Sequence, residues 1–122
     1  MKLQKKSPSL TEGIYLSTIT SVIEDTPEEG KFTIHYKLTD ENGKNYQKRE
    51  IFLNSTDSRR YVALIDYLEH SLGHPVEDTA QLVGIKEKLT LAYGKETRGV
   101  QYLNITHREF IGIEPAAESE GA

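Results

Sequence analysis

The segment Lys31–Leu53 restricts the fold of this chain more than any other stretch. Its first nine residues, KFTIHYKLT, alternate between apolar and polar side chains, which is the period of a β-strand with one buried face. The following DENGK contains an Asn-Gly pair, typical of a tight hairpin turn, and NYQKREIFL has the composition of a returning strand. The segment therefore predicts a β-hairpin with strands at Lys31–Thr39 and Asn45–Leu53.

Two turn geometries are compatible with DENGK, and they give the second strand opposite faces. A two-residue turn at Asn-Gly pairs Ile34 with Ile51, whereas a type I turn with a glycine bulge pairs Ile34 with Glu50. The bulged register would bury Glu50 and Lys48, and burying an unpaired charge costs more than any turn preference gains. The two-residue turn is therefore the predicted register.

This register sorts the side chains of the hairpin into two sets. The set predicted to face the core is Phe32, Ile34, Tyr36, Ile51 and Leu53, with Arg49 beside Tyr36. The set predicted to face outward is His35, Lys37, Tyr46, Lys48 and Phe52.

The rest of the chain adds three strands and one helix. The helix has an apolar stripe at helical spacing, with Thr56 or Asp57 available to cap its start and Gly73 to end it. The elements predicted outside the hairpin are a strand at 13–24, a helix at 58–72, a helical turn within VEDTAQLVG, and strands at 86–93 and 100–110.

This order predicts a mainly β fold of the OB type, a five-stranded Greek-key barrel with the order β1-β2-β3-α-β4-β5 and one helix between strands 3 and 4. A barrel also explains how so few strands could bury a core without long exposed edges. The alternative is another α+β fold, in which a three-stranded meander is joined by an added hairpin.

Composition favours one domain at 1–113, with a short basic N-terminal arm at 1–11. The segment 114–122, EPAAESEGA, is acidic and has no large apolar side chain to anchor it in a core, and is predicted to be a disordered tail. The chain lacks cysteine, which excludes disulfides and thiolate metal sites. Because no signal peptide and no long apolar run is present, we expect a soluble cytoplasmic protein with no membrane partner.

The sequence contains no common catalytic or metal-binding motif. His70 and His74 are four apart, but Gly73 and Pro75 end the helix between them, so a shared metal site is not expected. The sequence has no phosphate-cradling glycine loop and no G-x-S-x-G nucleophile motif. We therefore expect a protein that is not an enzyme and that uses no cofactor, metal or small-molecule substrate.

Cations and aromatic rings on one sheet face are what binding of single-stranded nucleic acid requires, because cations follow the phosphates while rings stack on the bases. OB-folds bind oligonucleotides on the face of strands 2 and 3 and with the loops L12 and L45, and here L45 is GKETRG. The alternative role for surface lysines is to keep a sheet edge from pairing. The predicted nucleic-acid-binding residues are His35, Lys37, Tyr46, Lys48, Phe52, Lys95, Arg98 and Tyr102.

Several segments together resemble a known family: the small OB-fold single-stranded-DNA-binding proteins carried by phages and mobile elements of bacteria. The similar segments are EGIYLSTITSV, DENGK, YLEHSLG, LVGIKEKLTLAYGK and RGVQYLNI, within residues 12–113. The resemblance implies a non-enzymatic protein that binds and protects single-stranded DNA in DNA replication, recombination or conjugative transfer.

A second function stays open: an OB-fold protein-interaction or scaffold module of a phage or mobile element, using the same face of the barrel. An exposed edge of the first or the fifth strand could also pair between subunits and give a homo-oligomer.

Overall fold

The computed structural model describes residues 10–114, so the predictions for residues 1–9 of the arm and for residues 115–122 of the tail lie outside the described residues. The predicted strands and helix are confirmed, with shifts of up to three residues at their ends. Their observed bounds are β1 (Gly13–Thr26), β2 (Lys31–Thr39), β3 (Asn45–Leu53), α1 (Arg59–Leu72), β4 (Ile85–Tyr93) and β5 (Leu103–Ile113). Short 3-10 turns occupy Pro27–Glu29 and Thr79–Leu82, and the second is the helical turn predicted in VEDTAQLVG.

The strands form one antiparallel sheet in the order β3-β2-β1-β4-β5, so the fold is mainly β, with α1 between the third and fourth strands of the chain. No backbone ladder joins β3 to β5 within the described part of the chain, and the sheet is not closed. Side chains nevertheless bridge the two edges: Lys48 Nζ donates to the Leu103 carbonyl at 3.0 Å, and Arg108 Nη2 pairs with Glu50 Oε1 at 2.5 Å. Since every neighbouring pair is antiparallel, β3 and β5 run in the same direction where they approach each other.

The core fills the inside of this curved sheet and is covered by α1, which contributes Leu64 and Leu68. The helix begins after Ser58, whose hydroxyl accepts from the Tyr61 N–H at 3.4 Å, so the prediction of Thr56 or Asp57 as the N-cap is wrong. The described residues include no helix long and apolar enough to span a bilayer.

The predicted register of the β2–β3 hairpin is wrong. Ile34 pairs with Glu50 and Tyr36 with Lys48, as expected for the bulged turn. Among described non-glycine residues only Arg98 has a positive φ, so Asn42 lacks the conformation that a two-residue type I′ turn requires at both central positions.

The carboxylate of Asp40 stabilises the observed turn by accepting the backbone N–H groups of Asn42 and Lys44, each at 2.9 Å. The bond from Lys44 is the main reason why the pKa of Asp40 is lowered. The turn closes further through the Asp40 N–H, which donates to the Lys44 carbonyl at 2.9 Å, and the Gly43 N–H, which donates to the Asp40 carbonyl at 3.0 Å.

The physical reason for the register is that the inward charges are paired. Glu50 accepts from the Tyr36 hydroxyl at 2.6 Å and from Arg108, a residue 58 positions away in sequence. The penalty for burying an unpaired charge therefore does not apply. Consequently Phe52 faces the core and is only 3% exposed, whereas Ile51 is 55% exposed on the opposite face.

Candidate nucleic-acid interface

The face of the sheet opposite the core, here called the outer face, carries a row of cations. On β2 and β3, His35 lies opposite Arg49, and Lys37 lies opposite Gln47. Lys37 and Arg49 are exposed and His35 is half-buried. Arg49 was predicted on the core side, and the change of register turns it outward.

The outer face continues across β1 onto β4. Thr18 of β1 pairs with both Lys37 and Lys86, so these two lysines flank one threonine. Lys88 is the next outward residue of β4, and Glu109 of β5 stands opposite it. Cations of the outer face therefore lie on β4 as well as on the hairpin in which the sequence pattern places them.

A groove of about 580 Å³ crosses the outer face of β1, β2 and β3, and is called the outer-face groove below. Its polar lining includes His35, Lys37, Gln47, Lys48 and Arg49. Four of these side chains carry a basic group, and none of the described carboxylates lines the groove.

A second depression, of about 540 Å³, lies between the edges of β3 and β5 and is called the edge gap. On the β3 side it is lined by Lys48, Arg49 and Ile51, and on the β5 side by Tyr102 and Asn104. The two depressions share Lys48 and Arg49, so the outer-face groove and the edge gap adjoin at these two side chains. Tyr102, which is 66% exposed, therefore lies at the end of a path lined by cations.

Of the outward residues predicted in the hairpin, His35 and Lys37 lie on the outer face, whereas the other three face the opposite way. Phe52 stacks on Phe32 with 5.8 Å between ring centroids, so its predicted outward orientation is wrong. The cause is the one-residue change of register, which exchanges the faces of every β3 side chain.

Tyr46 and Lys48 also lie on the core side of β3, at its rim. The Tyr46 hydroxyl donates to Asp40 Oδ2 at 3.1 Å, and its ring meets Tyr15 edge-on with centroids 5.9 Å apart. Burial, followed by the bond to Asp40, raises the pKa of Tyr46. Lys48 spans the edge gap to the Leu103 carbonyl, which leaves its ammonium at the border of both depressions.

The remaining three predicted residues lie in the loop between β4 and β5. Lys95 and Arg98 are exposed and line neither depression, whereas Tyr102 lines the edge gap. Thr97 and Val100 exchange backbone hydrogen bonds at 2.9 and 3.0 Å, which shapes the loop as a small hairpin. The loop thus presents its two cations beside the gap rather than inside it.

Four cations that sequence reasoning left out of the candidate site belong to this surface: Arg49, Arg60, Lys86 and Lys88. A signal for Arg49 was present in the turn, because Asp is favoured at the first position of a type I turn and binds backbone N–H groups two residues on. Asp40 therefore favoured the bulged register that turns Arg49 outward. No local signal could have placed Arg60 at the gap, because that position depends on how α1 packs.

Beneath the edge gap lies a buried charge cluster centred on Arg108. Its Nη1 donates to both oxygens of Glu87, at 3.1 and 3.2 Å, and its Nη2 donates to the Tyr36 hydroxyl and to Glu50. Burial raises the pKa of Tyr36 well above its ordinary value. These groups satisfy one another, so the cluster fixes the two sheet edges and leaves ligand binding to the exposed cations above it.

Within residues 10–114, no group of three or more His, Cys, Asp or Glu side chains is arranged to hold a metal ion. Comparison of the chain with known protein families, with curated proteins and with solved structures finds no match.

Proposed function

We propose that this chain is a non-enzymatic, sequence-tolerant single-stranded-DNA-binding protein. The observation that carries the proposal is that the outer-face groove and the edge gap share Lys48 and Arg49. A single strand following this path would meet cations first and then the exposed ring of Tyr102.

The chemistry of the path fits a single strand better than a duplex. Lys37, Lys48 and Arg49 would neutralise phosphates, and Tyr102 would stack on a base that is free of its complement. Such stacking contributes about 1–3 kcal/mol per base and accepts any base, which is the reason to propose a sequence-tolerant protein. Lys95 and Arg98 in the neighbouring loop, and Lys86 and Lys88 on β4, would add phosphate contacts beyond the two depressions.

The strand arrangement supports an OB-fold as the architecture. A Greek-key barrel of this type needs β3 and β5 next to each other at the closing seam, and OB-folds are commonly only partly open barrels. Here side chains bridge β3 and β5 in the same order along both strands, Lys48 to Leu103 and Glu50 to Arg108. The proposed ligand path then lies on the β2–β3 face, where OB-folds bind oligonucleotides. Protection of single strands in DNA replication, recombination or conjugative transfer is the proposed biological role.

The direct test is a titration of fluorescently labelled oligo-dT, and of a duplex of equal length, with the whole chain at two salt concentrations. We expect oligo-dT to bind more tightly than duplex, and its Kd to weaken steeply with salt because counterions are released from neutralised phosphates. Failure to bind either probe would remove the proposal.

The assigned face is tested by Arg49→Glu, with Arg59→Glu as the matched control. Both residues are exposed arginines, but only Arg49 lines the depressions. Reversing one charge at a phosphate contact is expected to weaken oligo-dT binding by about tenfold. Equal losses for the two variants would mean that net charge, and not this face, governs binding.

A second candidate function, a protein-interaction or scaffold module, is favoured by a different observation. Ile23 and Ile51 lie outward on either side of Thr33 and are about half exposed, and Leu53 lies close by. Exposed apolar side chains grouped on one face are a feature of partner-binding surfaces. This function would be favoured instead if the unaltered chain does not bind oligo-dT but self-associates in sedimentation velocity. The variant Ile51→Ser should then lose that self-association.

A further inference from the structure

Helix α1 brings a cation to the edge gap that the sheet does not supply. Arg60 lies in the first turn of the helix, and its Nη1 donates to the Ile51 carbonyl on the free edge of β3 at 3.1 Å. Its guanidinium carbon stands 4.6 Å above the centre of the Phe52 ring. Its Nη2 lies 3.6 Å from Glu50 Oε2.

These three contacts hold the guanidinium in one place without burying it. The Arg60 side chain is still 63% exposed. An arginine offers five N–H donors in a planar fork, and the Ile51 carbonyl takes one of them. The ordering of this long side chain is therefore largely achieved before any ligand arrives, which lowers the entropic cost of a further contact.

Arg60 also joins two depressions. It lines the edge gap, and it lines a third cavity of about 220 Å³ between α1 and the sheet, whose wall includes Phe52, Ala63 and Ile105. The edge gap thus adjoins the outer-face groove at Arg49 and this helix cavity at Arg60. Among residues 10–114, Glu50 is the only carboxylate that lines the edge gap or the helix cavity, and Arg108 already neutralises it.

We propose that Arg60 binds a phosphate of the same single strand and so carries the strand from the sheet onto helix α1. The ligand class is a phosphodiester backbone, recognised by a pre-ordered guanidinium. This inference rests on the proposed function, and it extends the ligand path beyond the β2–β3 face to the side of the molecule formed by the helix.

The alternative role of Arg60 is purely structural: it would clamp α1 to β3 through Phe52 and the Ile51 carbonyl. A clamp affects stability, whereas a phosphate contact affects the salt dependence of binding. The slope of log K against log salt concentration changes by about 0.7 for each phosphate contact with a single strand. The slope therefore distinguishes the two roles.

The test compares Arg60→Ala with Arg59→Ala in titrations of oligo-dT at four or more salt concentrations, alongside thermal unfolding of each variant. We expect Arg60→Ala to weaken the affinity about threefold to tenfold and to reduce the salt slope by about 0.7, and Arg59→Ala to change neither. If the unaltered chain binds oligo-dT and Arg60→Ala keeps its slope, the inference is overturned while the proposed function stands. If the unaltered chain binds no oligo-dT, the proposed function fails, and this inference fails with it.

A second pair of variants covers the case in which Arg60→Ala does not fold. Arg60→Lys and Arg60→Gln both retain a long side chain that can pack on Phe52, but only lysine keeps the charge. We expect Arg60→Lys to keep the salt slope of the unaltered chain and Arg60→Gln to lose about 0.7 of it. Equal slopes for lysine and glutamine would overturn the phosphate role.

Discussion

Arg108 decides which face of β3 is buried. It is the common partner of Glu87, Glu50 and Tyr36, and Glu87 is completely inaccessible to solvent. Burial acts to lower the pKa of Arg108, but Tyr36 and the two carboxylates more than offset this effect and raise the pKa above its ordinary value. Arg108 therefore stays charged, and both carboxylates keep a partner.

We expect Arg108→Met to lower the free energy of unfolding by about 3–5 kcal/mol, because it leaves the buried Glu87 without a cation and Glu50 with only the more distant Arg60. Urea denaturation followed by circular dichroism measures this change. Lys88→Met is the control, since Lys88 points outward from the same sheet and its loss should change stability by less than about 0.5 kcal/mol.

The mechanism of this loss can be tested separately. Adding Glu50→Gln and Glu87→Gln to Arg108→Met removes the charges of both carboxylates that Arg108 neutralised while keeping the shape of the side chains. If unpaired charge causes the loss, the triple variant should be more stable than Arg108→Met alone. A triple variant that is less stable still would indicate that lost packing, and not charge, dominates.

The β2–β3 turn sets the register of the whole hairpin, and Gly43 is the residue in it that needs a left-handed conformation. Its φ is +83°, and a Cβ at this position would meet no atom within 4 Å. Gly112 also has open space around it, but its φ lies outside the left-handed region. The two glycines therefore differ in conformation and not in crowding.

We expect Gly43→Ala to lower the free energy of unfolding by about 1–2 kcal/mol, since an L side chain is strained in the left-handed region. Gly112→Ala should leave it unchanged or raise it slightly, because alanine restricts the unfolded chain more than glycine does. Chemical denaturation of the two variants in parallel measures the difference. Equal effects would argue against a strained conformation at Gly43.

Sequence reasoning found the elements because their signals are local, as in the alternation over Lys31–Thr39 and the apolar stripe of α1. It missed the register because the deciding partner, Arg108, lies 58 residues from Glu50. That one omission exchanged the roles of Phe52 and Arg49, so a residue predicted to stack on bases is buried and a residue assigned to the core is exposed. The prediction for Tyr102 was unaffected by this error, because Tyr102 lies outside the hairpin.

At the scale of the whole molecule, an antiparallel sheet of five strands leaves two edges that run in the same direction. Parallel pairing is somewhat less stable per residue than antiparallel pairing, and here side chains bridge the two edges instead of a ladder. The edge gap that remains shares lining residues with each of the other two depressions. The open seam and the proposed ligand path are therefore one feature of the fold.

Hydrogen exchange of backbone amides tests whether the seam between β3 and β5 is open. The Ile51 carbonyl accepts from Arg60, so it points away from β2, and alternation along the strand turns the N–H groups of Arg49 and Ile51 toward the gap. We expect these two amides to exchange faster than those of Ser17 in the central strand β1, because no ladder covers them. Equal protection of Arg49, Ile51 and Ser17, measured by NMR, would mean that β3 and β5 pair through their backbones.

The same measurement with saturating oligo-dT locates the bound strand without any substitution. If the strand follows the proposed path, exchange should slow at Arg49, Ile51 and Tyr102, and also in the first turn of α1 near Arg60, because a bound strand excludes water from each of these amides. The face lined by Val76 and Asp78 lies outside the path and serves as the internal control. Protection confined to β2 and β3 would restrict the ligand to the sheet, whereas protection that reaches Arg60 would place it across the open seam and onto the helix.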